Sequence, residues 1–142
     1  MKGDPLLPMH NVVRYVGGSK RHGDTVYPQG FEDSPISVNW LECADGSEEE
    51  QVARVRGLLR MQLGRSAGLA ELNVGAVRGM ATNLDVVEDP LEASAEWPAA
   101  PCHAEIIGIP DDGPQRKLIY EQLADNVIKV HPALTGTNER TA

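Results

Sequence analysis

The sequence predicts an α+β fold: one domain built on a mostly antiparallel sheet of five or six strands with two helices. Three observations carry this. Short β-branched or alternating runs recur between turn signals, two stretches place apolar residues at helical spacing, and most strand-like runs lie close enough for hairpin links. At 142 residues the chain can close a single core without staples. Residues 1–9 read as a flexible N-terminal arm, 10–134 as the domain and 135–142 as a flexible polar tail.

Taken in order, "HNVVRYV" from His10 is a strand, because Val and Tyr fit a pleated surface. "GGSKRHGD" is a turn or loop, and "TVYPQGF" is a short edge strand interrupted by Pro28. "ISVNWLEC" alternates as a half-buried strand. Ser47 and Glu50 match a capping box, and Val52, Val55, Leu59 and Leu63 follow at helical spacing, which predicts a helix over 48–63 stopped by Gly64. "LAELNVGAV" reads as a strand to Val77, with "NLDVVEDPL" as its hairpin neighbour. An Ala/Pro-rich crossing, residues 92–102, leads to a strand in "HAEIIGIP". Pro114 opens a last helix whose apolar stripe runs to about Val130.

A formal net charge of −8 argues against direct binding of nucleic acid or anionic membrane, since both repel an anion. No run reaches the ~20 apolar residues a membrane span needs, and "MKGDPLLPMH" lacks the apolar stretch of a signal peptide. Cys43 and Cys102 are too few for a disulfide framework. The expectation is a cytoplasmic protein with both thiols free.

Chemistry is sought first among polar residues set between apolar strand neighbours. Alternation puts Val12, Arg14 and Val16 on one face and Val13 and Tyr15 on the other; it groups Ser37 with Asn39, and His103 with Glu105. His10, Arg14, Ser37, Asn39 and His103 are therefore the candidate catalytic set: imidazoles for proton transfer, a guanidinium for an anion, and Ser and Asn to orient a substrate. Against this stands the default that a one-sided sheet turns its polar face to water, and that default is the reading the pattern favours. The four histidines and two cysteines show no paired ligand spacing, so no metal and no cofactor are expected. Asp111 and Asp112 are read as helix N-terminal carboxylates rather than a calcium loop. No nucleophile elbow or phosphate loop is present.

The first helix carries Arg54, Arg56 and Arg60, and Trp97 lies in the Ala/Pro crossing; these four are the candidate partner-binding residues. In order and spacing, "HNVVRYV", "ISVNWLEC", "LNVG", "DPL", "HAEIIGIP" and "VHPAL" resemble a family of small uncharacterised bacterial proteins over His10–Leu134. That resemblance implies a bacterial single-domain protein and attaches no activity to any residue.

The leading functional expectation is an accessory protein that binds a protein partner through the first helix and the crossing. The alternative is a small hydrolase or transferase acting on an anionic small molecule through the His/Arg/Ser/Asn set. A third is an acidic inhibitor of a nucleic-acid-binding protein, resting on Glu48 to Glu50.

Overall fold

Residues 1–134 are described by a computed structural model, and they form eight strands and three helices. The strands are β1 (Asn11–Val16), β2 (Arg21–His22), β3 (Thr25–Val26), β4 (Ile36–Trp40), β5 (Gly68–Asn73), β6 (Asp85–Glu88), β7 (His103–Ile107) and β8 (Lys129–Pro132). The helices are α1 (Glu48–Leu58), α2 (Val74–Arg78) and α3 (Gly113–Asp125). Six strands make one antiparallel sheet in the order β6-β7-β4-β1-β5-β8, and β2 with β3 makes a small ribbon. The fold is α+β, as the sequence predicts.

Alternation along the strands sorts the side chains into two unlike faces. One face is apolar almost throughout: Val12, Val38, Leu72, Ala104 and Ile106 pack against Ile119 and Leu123 of α3 and Val74 and Val77 of α2. On the other face, Val13 and Leu69 pack beneath Val52 and Val55 of α1, with Leu41 beside them. Helix α1 is too short to cover that second face, so polar side chains on either side of it decide what this face does.

Four local expectations are corrected. Helix α1 keeps its Ser47–Glu50 capping box but ends at Leu58, not Leu63. Tertiary bonds replace the extra turn: Arg60 reaches the carbonyls of Glu92 and Pro98, and the Gly64 N–H donates to the Tyr15 hydroxyl. Strand β5 stops at Asn73, whose side chain caps α2 by accepting from the Ala76 N–H. Val74 and Val77 are then buried at helical rather than strand spacing. Because α2 carries the chain off the sheet, β6 does not pair with β5 but lies at the far edge. The place beside β5 goes to β8, read from sequence as helix; α3 ends at Asp125 and the chain turns back to satisfy the open edge of β5.

Residues 1–9, expected as a flexible arm, lie along β6: Gly3 and Leu6 donate backbone bonds to Glu88 (2.8 Å) and Val86 (2.9 Å), and Leu6 is buried. The arm covers an edge that would otherwise offer free backbone groups. The 135–142 expectation lies outside the described residues.

Cys43 and Cys102 are bonded to each other, their Cα atoms 5.5 Å apart across 59 residues of chain. The expectation of free thiols is therefore overturned. Antiparallel pairing of β4 with β7 sets the end of one beside the start of the other, which linear spacing does not disclose. Among the described residues no helix is long and apolar enough to cross a membrane.

Candidate functional site

One row of paired residues crosses five strands on the face beneath α1. Register aligns His103 with Asn39, Asn39 with Val13, Val13 with Glu71, and Glu71 with Lys129. Val13, in the middle, is sealed by α1. The row therefore has two polar ends separated by an apolar plug.

At the His103 end lies a hollow of about 530 Å³, within the range of small-molecule sites. Arg14, Ser37, Asn39 and His103, four of the five candidate catalytic residues, line it together. Leu58, Leu59, Met61 and Leu91 supply an apolar wall. The sheet places Ser37 diagonally from His103, since Ser37 pairs with Glu105 and Asn39 with His103.

His103 is held from behind. Its Nδ1 lies 2.9 Å from the Asp89 carbonyl oxygen and 3.2 Å from Asp89 Oδ2. A carbonyl oxygen can only accept, so Nδ1 carries the proton and donates it. Nε2 then has no partner among the described residues and is the ring atom left to the hollow. Asn39 is only 8% exposed, yet its amide makes no hydrogen bond among the described residues. Neither amide atom is fully buried, so both stay open to the hollow.

The side chains lining the hollow carry an excess of positive charge, in a chain of net charge −8. Arg14, Lys20 and Arg60 line the hollow with Asp33 as the one carboxylate. Arg14 is fixed by Asp33 Oδ2 (2.6 Å) and by the carbonyls of Gly30 and Ser37 (3.1 Å each). Arg60 donates to the carbonyls of Glu92 (2.5 Å) and Pro98 (3.1 Å), partners that leave its charge uncompensated. Behind His103, burial and the neighbouring Asp89 carboxylate push the Glu105 carboxyl up, while His103 and Lys2 pull it down less strongly.

At the other end the polar groups satisfy one another. Glu71, 1% exposed, accepts from Asn11 Nδ2 at 2.6 Å and pairs with His131 Nε2 at 2.7 Å. Burial pushes its carboxyl up, but the hydrogen bonds from His131 and Asn11, with the charges of His131 and Lys129, hold it below the usual range. Glu48, Glu71 and His131 bring possible ligand atoms within 4.8 Å of one another. Lys129 Nζ, however, donates to Glu48 at 2.6 Å, so this cluster is already closed on itself.

His10 does not join the hollow. It precedes β1, accepts from the Leu7 N–H at 3.2 Å, and its ring lies 5.1 Å from that of Trp40 on the opposite face of β4. Nor do the partner-binding candidates make one free surface. Arg56 donates to the Pro132 carbonyl at 2.9 Å, Arg60 is tied to the crossing, and Trp97 is half-buried. Of the four, Arg54 is exposed, beside a second hollow at the disulfide.

The wet-face reading of the strand polar groups therefore holds for Ser37, which is exposed, and fails for Asn39, Arg14 and His103. Sequence reasoning missed Asp89, Lys20 and Glu71. Asp89 follows a strand and precedes Pro90, and no local signal ties it to His103. Glu71, between Ala70 and Leu72, carried the available signal: a charge where a strand faces a helix. Comparison with known protein families, curated proteins and solved structures finds no match to this chain.

Proposed function

We propose that the protein is a small enzyme that performs acid–base chemistry, hydrolysis or group transfer, on an anionic small molecule held in the hollow. His103 exchanges a proton through Nε2, and Asp89 fixes its tautomer and orientation. The Asn39 amide supplies a donor and an acceptor to the substrate, and Ser37 adds a hydroxyl at the rim. Arg14, Lys20 and Arg60 favour an anion and stabilise negative charge that develops on it. The apolar wall suits a substrate with a hydrocarbon portion.

The observation that carries this reading is the His103 imidazole, oriented by Asp89 through Nδ1 and with Nε2 unpartnered among the described residues, in the same hollow as Arg14 and the Asn39 amide. The accessory-protein reading has less support, because Arg56, Arg60 and Trp97 are spent within the molecule. The acidic-inhibitor reading has less still, since Glu48 is paired with Lys129 and Glu50 serves the helix cap. A bacterial origin enters only through the resemblance in sequence. A cytoplasmic location is expected from the absence of a signal-peptide pattern and the low cysteine count; with the pair bonded, it fits this reading only if the disulfide responds to redox state.

Chromogenic phosphate and carboxylate esters test the proposal directly. The wild-type chain is expected to turn over members of one class; His103→Gln should lower kcat by about 100-fold or more, and Asn39→Ala should raise KM. Equal rates for wild type and His103→Gln across both classes would sink the proposal.

A further inference from the structure

We infer that the Cys43–Cys102 disulfide is a site of reversible exchange with a dithiol, and that opening it unlatches one wall of the hollow. The bond lies on a second hollow of about 610 Å³, shared with Arg54, Glu50 and Pro101. Cys43 is partly exposed while Cys102 is only 4% exposed, so an incoming thiolate meets Cys43 Sγ first. It bonds to Cys43 Sγ, the bond between the two protein sulfurs breaks, and Cys102 leaves as a thiolate that takes up a proton. The second thiolate of the reductant then attacks its own sulfur in the mixed disulfide and releases Cys43. Two electrons enter the protein, and the dithiol departs as a cyclic disulfide.

The consequence follows from where Cys102 sits. It ends the link between β6 and β7, residues 89–102, which contains the Ala/Pro-rich crossing, and it is followed directly by His103. Leu91 and Ala100 of this link line the substrate hollow and are joined to each other by backbone bonds of 3.0 and 2.8 Å, with one further backbone bond, from the His103 N–H to the Ala100 carbonyl at 3.3 Å. Among the described residues, the disulfide is the crossing's covalent tie to the segment linking β4 and α1; the other ties are hydrogen bonds, among them those from Arg60. Exchange needs no substrate, so its test is independent of the proposed chemistry.

The full chain is titrated with dithiothreitol without denaturant, free thiols are trapped with iodoacetamide, and amide hydrogen exchange is followed. Both cysteines should alkylate under native conditions, and Leu91 and Ala100 should lose protection by about tenfold or more while β1 and β5 keep theirs. The double variant C43S/C102S should reproduce this exchange pattern without reductant. Three results each overturn the inference: thiols trapped only where the whole chain unfolds, reduction with unchanged exchange at Leu91 and Ala100, or loss of protection throughout the sheet. Failure to find an enzymatic substrate would touch none of these readouts.

Discussion

Two histidines on the same sheet face, each beside a carboxylate, have opposite fates. His131 donates to one Glu71 oxygen while Asn11 donates to the other, and Lys129 closes on Glu48. His103 is held by Asp89 on one side and left open on the other, next to an Asn39 amide with nothing to bind among the described residues. The difference teaches how to read buried polarity. A closed network specifies structure, because every group removed from water has found a replacement partner. An open one leaves polar atoms facing solvent, ready to meet a partner from outside.

The widest separation between the two ends should appear on deleting the carboxylate of the closed cluster. Glu71→Ala removes the carboxylate partner of the half-buried Asn11 amide and His131 ring, and it leaves a cavity where Glu71 was 1% exposed. We expect a loss of about 2–4 kcal/mol in urea denaturation, in line with removal of one member of a buried charged network. A loss below about 1 kcal/mol would mean that this cluster is no more structural than the other.

The pH dependence of stability should then differ in sign between the two ends. The Glu71 carboxyl is held below its usual 4.5, so its contribution is complete above that value and drains away as pH falls through the lower folded-state value. The Glu105 carboxyl is pushed above its usual 4.5, so its contribution is complete below that value and is lost as pH rises through the higher folded-state value. Glu71→Gln should therefore flatten the acid limb of the stability curve. Glu105→Gln should instead flatten the decline above 4.5 and leave the variant relatively more stable at neutral pH. Denaturant midpoints between pH 3 and 8 are the check, and parallel curves for the two variants would erase the contrast.

Part of this was legible in the chain itself. The Ser47–Glu50 capping box and the strands around Val12 and Val38 follow from local rules, and alternation alone put Ser37 and Asn39 on one face. What alternation cannot supply is strand order, and order decided the site. His103 comes opposite Asn39 only because β7 pairs with β4, and Cys102 reaches Cys43 for the same reason. His10, two residues before Val12, looked equivalent to Arg14 in spacing, but it lies outside β1 and is held by the folded-back arm. Strand β8 was hidden because four residues ending in proline carry little signal of their own. Its reason for pairing is the unsatisfied edge of β5, which belongs to another part of the chain.

A smaller effect is expected where the open end is filled. Asn39→Leu replaces an amide lacking a partner with an apolar side chain of similar volume, between Val13 and His103 in register. Stability should stay within about 1 kcal/mol of wild type, because no hydrogen bond is lost among the described residues. Turnover should fall in the same protein. A marked destabilisation would show that Asn39 is held by an interaction of structural weight, and the contrast with Glu71 would weaken.

The smallest effect should come from Lys129, and it separates burial from charge as the source of the closed cluster's strength. Its ammonium pairs with Glu48 at 2.6 Å, but the two side chains are 47% and 43% exposed, so water screens the pair and replaces either partner when it is removed. Glu71, a neighbour in the same row, is 1% exposed and has no such recourse. Lys129→Ala should therefore move Tm by no more than about 3 °C, and this shift should shrink further in 1 M salt. A Tm loss comparable to that of Glu71→Ala would mean that the lysine's charge, reaching the buried carboxylate across the pair, holds the cluster together, and that the hydrogen bonds of Asn11 and His131 are secondary.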